Sequence, residues 1–91
     1  MAWVPAVAQV SFYAGSRGEE RPRWLIFGGR WWQVELLGEV TVSTSAPGPE
    51  ERRFLLRCGA GIFRVVVEQA GTRVDLWEGE PMPEGVGDLL A

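Results

Sequence analysis

Along most of this chain apolar residues recur at every second position, and no segment carries the three-to-four spacing of a helix. Strand side chains point alternately to opposite faces, so this pattern restricts the chain to β-structure. "AQVSFY" sets Ala8, Val10 and Phe12 on one face against Gln9, Ser11 and Tyr13 on the other. "RWLIF" is apolar on both faces apart from Arg23, as a central or doubly covered strand is. Gly28-Gly29 follows at once, and both central positions of a type I′ hairpin turn need positive φ.

The next strand carries two tryptophans side by side, Trp31 and Trp32, which one face cannot bury together. Trp32, Val34, Leu36, Val40 and Val42 share a face, with Gly38 in the same series. Trp31, Gln33, Glu35, Leu37, Glu39 and Thr41 share the other, so Trp32 is the predicted core residue and Trp31 faces out with the polar set. A strand of this length must bend, and Gly38 is the expected kink or bulge, letting one strand serve two sheets.

Three further strands follow. "RRFLLRC" places Phe54, Leu56 and Cys58 inside and Arg53, Leu55 and Arg57 outside. "IFRVVVEQ" places Phe63, Val65 and Val67 inside and Arg64 and Glu68 outside. "TRVDLWEG" places Val74 and Leu76 inside, with Arg73, Asp75 and Trp77 outside. "AGSRGEERP" and "STSAPGPEE" read as loops from their Gly, Pro and Ser content. The expected architecture is all-β: a small antiparallel barrel or strongly bent sheet of about six strands, SH3-like, with an irregular acidic C-terminal tail. Residues 1–79 form that single domain and 80–91 a tail with two prolines and two glycines.

Absent residue types exclude much chemistry. There is no histidine, which removes triads, imidazole proton transfer and most zinc and iron sites. One cysteine, Cys58, makes neither an intramolecular disulfide nor a thiolate metal cage, and its alternating apolar surroundings predict a buried, inert thiol. "AGSRG" and "GAG" have no following GK[ST] and open no helix, so they are turns and not phosphate cradles. The adjacent pairs Glu19-Glu20 and Glu50-Glu51 sit in loop sequence, where carboxylates are solvated. The chain is expected to be non-catalytic, without cofactor or metal. With no long apolar run and no basic, apolar leader, it reads as a soluble cytoplasmic protein.

Net charge is −3, but it is unevenly distributed. All the cations are arginine: nine stand against seven glutamates up to Arg73, a balance of +2, and from Val74 onward five acids and no base give −5. The outward residues combine Trp31, Trp77, Arg53, Arg57 and Arg64, with Arg30 and Tyr13 at the margin; Arg73 also faces outward, and Trp24 either joins them or lies under a neighbouring loop. One reading is structural: Trp31 and Trp77 cover each other under arginine stems. A second makes tryptophan and arginine the anchors of a protein interface, with another protein or a second copy as partner. A third has them stack and neutralise single-stranded nucleic acid, against which a body charge of only +2 argues. A binding or accessory module acting through protein–protein contact or self-association is the leading expectation; single-stranded nucleic acid is the alternative. The two separate by whether arginines or apolar groups surround Trp31.

The stretch Arg21-Pro22, "RWLIF", Gly29-Arg30, Trp31-Trp32 and Val34 resembles a family of small uncharacterised bacterial proteins, the domain-of-unknown-function group 6504. "RRFLLRC" and "IFRVVVEQ" are similar to the second half of that pattern, and together these cover about half of the chain. Members are often met beside error-prone DNA polymerase genes, so the resemblance implies a link to DNA-damage tolerance. It supplies no catalytic residue.

Overall fold

A computed structural model of the chain describes residues 2–14, 20–43, 50–68 and 70–78. They form eight strands: β1 (Ala2–Pro5), β2 (Ala8–Ala14), β3 (Glu20–Phe27), β4 (Arg30–Gln33), β5 (Glu35–Ser43), β6 (Glu50–Cys58), β7 (Gly61–Glu68) and β8 (Gly71–Glu78). Every pairing is antiparallel. Two sheets result, a five-stranded one ordered β1-β8-β7-β6-β5 and a three-stranded one ordered β2-β3-β4. The count exceeds the six expected because Ala2–Pro5 pairs with β8 and the long strand after the Gly-Gly turn is divided. The barrel is likewise replaced by two separate ladders. The chain crosses from one sheet to the other at Ala6-Val7 and again at Val34.

The inner faces of the two sheets meet in one core. Leu25 of β3 is fully buried with Phe54 and Leu56 of β6, Phe63 and Val65 of β7 and Val74 of β8. Ring pairs span the layers, Phe12 with Phe54 at 6.1 Å and Phe27 with Phe63 at 5.2 Å, both edge-on as aromatic quadrupoles prefer. Trp32 packs on this core as its sequence position requires, and its Nε1 donates to the Phe27 carbonyl at 3.1 Å. Cys58 is half-buried against the same cluster.

Two irregularities shape the strands. In β3 the register passes from Ser11↔Trp24 to Phe12↔Pro22, leaving Arg23 as the extra residue of a bulge. Pro22, which lacks an N–H, is therefore tolerated in a strand, and the loop expected over 14–22 gives way to pairing from Glu20 onward. In β5 the register passes from Leu36↔Leu56 to Gly38↔Leu55, so Leu37 and Gly38 together oppose one residue. The bulge falls where Gly38 suggested, but the change of sheet comes earlier. Val34 makes it, donating its N–H to the Arg23 carbonyl at 3.1 Å.

The β5 bulge inverts every side chain beyond it, because one inserted residue shifts a period-two pattern by half a cycle. Val40 pairs with Arg53 and Val42 with Glu51 on the outer face, while Glu39 pairs with Phe54 and Thr41 with Arg52 on the inner one. The assignment of Val40 and Val42 to the core is thus corrected; Val40 is exposed. Glu39 instead accepts from Arg52 Nη2 at 3.0 Å, and the Arg52 guanidinium lies 4.9 Å from the Phe54 ring centre. Leu55 is a second correction, since this outward residue is fully buried. Of the loop expected over 43–51, Ser43 belongs to β5 and Glu50 and Glu51 to β6 instead, while residues 44–49 and the tail 80–91 lie outside the described residues.

Candidate docking faces

The two-residue turn sets the outer face of the small sheet. Gly28 and Gly29 have φ of 62° and 75°, which closes the hairpin at Phe27↔Arg30 and fixes the pairs Ile26↔Trp31 and Trp24↔Gln33. Strand β2 adds Gln9 beside Ile26 and Ser11 beside Trp24. Paired residues share a face, so the outer surface holds two rows, Gln9–Ile26–Trp31 and Ser11–Trp24–Gln33, and beyond them the pair Tyr13↔Arg21. None of the six residues in the two rows is charged. Trp31 is 62% exposed and meets Trp24 edge-on, with ring centres 6.4 Å apart. Val7, at the corner between the sheets, is almost wholly exposed, and with Gln9 and Ile26 it borders a shallow depression against the Gly-Gly turn.

The outer face of the large sheet is built differently. Pro5, Asp75, Arg64, Leu55 and Gly38 follow one another across it in register, as do Arg73, Val66, Arg53 and Val40. Trp3 pairs with Trp77 at its β1 edge, rings edge-on at 5.2 Å. The arginines here hold carboxylates. Arg64 Nη2 and Nε donate to Asp75 Oδ2 at 2.9 and 3.3 Å, with the guanidinium 4.7 Å from the Trp3 ring centre. Arg53 Nη2 sits 2.8 Å from Glu51, Arg57 Nε donates to Glu35 at 3.1 Å, and Arg73 Nη1 is 3.8 Å from Glu68.

The residues read as one surface are therefore divided. Trp77, Arg53, Arg57 and Arg64 lie on the large sheet's outer face and Trp31 on the small sheet's, with the core between them. Trp31 and Trp77 do not cover each other; each has its own tryptophan partner, Trp24 and Trp3. Arg30 pairs with Phe27 on the inward side of β4, its guanidinium 4.6 Å from the Trp32 ring centre. For Tyr13 the backbone alone is described, paired with Arg21. The face around Trp31 adds Trp24 and Ile26, Gln9 and Val7 to Gln33, which alternation already placed on Trp31's face; of these, Ile26, Gln9 and Val7 were not gathered by sequence patterning. The signal for Trp24 and Ile26 was present, because a two-residue turn fixes which β3 residues stand opposite Trp31 and Gln33.

Among the described residues no group of three or more Cys, Asp or Glu is placed to hold a metal ion. No protein-family model, no curated protein and no solved structure matches the chain.

Proposed function

We propose that this chain is a non-catalytic binding module that docks a protein surface, another chain or a second copy of itself, through the outer face of β2, β3 and β4. The observation that carries this reading is Trp31, mostly exposed beside Trp24 and Ile26 in two rows of uncharged residues, with Arg21 only at the far end of the face. A tryptophan left open to water on a rigid strand is poised to bury apolar area at almost no ordering cost, as interface anchors do. Gln9, Gln33 and Ser11 around it supply neutral hydrogen-bonding groups of the kind found at an interface rim.

Nucleic acid is the weaker reading. Strong binding to a phosphodiester chain comes from neutralising phosphates. Arg53, Arg57, Arg64 and Arg73 hold carboxylates and stand on the face opposite Trp31.

Light scattering across a concentration series, paired with a tryptophan-fluorescence titration with a short single-stranded oligonucleotide at low and moderate salt, tests the proposal. The expected result is a dimer, or capture of a protein ligand, that is insensitive to salt and lost in Trp31→Ala. Salt-sensitive quenching by the oligonucleotide that disappears in the same variant would overturn it in favour of nucleic acid.

A further inference from the structure

Strand β4 ends the small sheet, and its register fixes where its backbone groups point. In a two-residue hairpin the residues flanking the turn exchange hydrogen bonds, and bonded and non-bonded pairs then alternate along the ladder. Phe27↔Arg30 and Leu25↔Trp32 are therefore the bonded pairs, and Val34 continues the series by donating its N–H to the Arg23 carbonyl. The N–H and C=O groups of Trp31 and Gln33 point the other way, out of the edge of the sheet. Among the described residues β4 pairs with β3 alone, and Arg30, Trp31 and Gln33 are all exposed, so this edge meets water. Natural sheet edges are blunted by charge, proline, bulges or brevity. At the two edges of the large sheet, β1 carries Pro5 and β5 carries its bulge with Glu35 and Glu39. β4 is short, yet the two residues whose groups leave its edge are a tryptophan and a glutamine.

We propose that β4 pairs antiparallel with β4 of a second copy about a two-fold axis at Trp32, joining the two small sheets into one of six strands. Only residues whose groups face the edge exchange bonds, and this restricts the register. With Trp31 opposite Trp31, or Gln33 opposite Gln33, a single pair bonds, because Gly29 lies in the turn and Glu35 in the other sheet. With Trp31 opposite the second copy's Gln33 two pairs bond, one on each side of the axis. That register opposes no like charges: on the inner face Arg30 meets Val34, and Trp32 meets Trp32. On the outer face the row Gln9–Ile26–Trp31 runs on into the second copy's Gln33, Trp24 and Ser11. The two Trp31 residues become diagonal neighbours about 7–8 Å apart, within reach of one another's rings. One two-fold axis thus matches the bonding groups of the edge, its charges and its exposed tryptophan, as a self-complementary dimer contact requires and an unrelated strand does not. This pairing rests on the proposed docking through Trp31 and names its partner.

Amide hydrogen exchange of the full chain, resolved by residue with NMR in dilute and concentrated samples of known mass, tests the pairing. The Trp31 and Gln33 amides are expected to slow about tenfold or more as the dimer forms, while those of Arg30 and Trp32, bonded to β3, stay protected throughout. A dimer whose Trp31 and Gln33 amides exchange as freely as in the monomer would overturn the pairing and leave docking through the face intact. A chain that stays monomeric, or binds only another protein, would do the same. Slowed amides in a dimer that survives Trp31→Ala would uphold the pairing and overturn Trp31 as the anchor. Gln33→Pro is the matching variant, since it deletes an edge N–H that β3 does not use and keeps Trp31. It is expected to weaken the dimer about tenfold or more with the β-sheet circular dichroism unchanged. An equally tight dimer would overturn the pairing, and if the variant loses its β-signal the exchange pattern decides.

Discussion

Trp32 lies so close to Gly59 that a β-carbon on the glycine would sit 2.7 Å from the indole Cζ3. The core tryptophan of β4 thus roofs the turn between β6 and β7, and this close approach across the two sheets requires a residue with no side chain. Trp32 is also held by its hydrogen bond to the Phe27 carbonyl, so it cannot simply swing aside.

Gly59→Ala is therefore expected to cost about 1–3 kcal/mol, the range for forcing extra volume into a packed site. Urea denaturation would show a lower midpoint with unchanged slope. Combining it with Trp32→Phe should recover part of the loss, since the contact is shared and the two changes are not additive. Additive losses would mean that the strain at Gly59 is not with the indole.

Leu55 separates a two-faced sheet from a one-faced one. As an exposed strand residue it would tolerate alanine within ~0.5 kcal/mol. Buried at 0% exposure, it is expected to lose about 2–5 kcal/mol as Leu55→Ala. Val40, on the same outer face but 38% exposed, is the internal control, and Val40→Ala should cost under about 1 kcal/mol. Equal effects at the two positions would return this face to solvent.

Asp75 is expected to be the least replaceable carboxylate. Its side chain is 7% exposed, and it accepts from Arg64, itself 16% exposed, with Arg73 Nε also 3.6 Å away. Removing it strands a largely buried guanidinium against Trp3, so Asp75→Ala should cost about 3 kcal/mol. Glu35→Ala breaks the exposed pair with Arg57, and about 0–1 kcal/mol is expected. Chemical denaturation of the two variants at low and high salt checks both. The Arg64–Asp75 contribution should persist in salt, because the pair is shielded from mobile ions.

What was legible in the sequence follows from where periodicity is a sufficient signal. The all-β class, the Gly28-Gly29 hairpin, the opposite fates of Trp31 and Trp32, and the inward sets Phe54–Leu56–Cys58 and Phe63–Val65–Val67 all depend on local alternation alone. The misplacement of Val40 and Val42 arose at the Leu37–Gly38 bulge, since alternation carries no mark of an inserted residue. Leu55 was read as outward correctly but as exposed wrongly: period two names a face and does not say what covers it. The split of the Trp/Arg surface required knowing which sheet each strand joins. That is set by the crossings at Ala6-Val7 and Val34, which have no compositional signature.

The docking face makes the last prediction. Trp31 is mostly exposed, and its described ring contact is the edge-on pair with Trp24. The pair contributes about 0.5–1.5 kcal/mol to folding beyond the area it buries, so Trp31→Ala should lower stability by less than Leu55→Ala does. Its effect on association should be larger, because an interface anchor loses the whole area it buries against a partner and truncation at such positions costs about 2 kcal/mol or more. That corresponds to at least about thirtyfold in dissociation constant. Trp24→Ala should act in the same direction on binding but more heavily on folding, being 37% exposed where Trp31 is 62%. Sedimentation equilibrium and urea denaturation on the same two variants separate the two effects. Loss of stability at Trp31 on the scale of Leu55→Ala, with association intact, would make the small sheet's outer face part of the fold and not a surface that meets a partner.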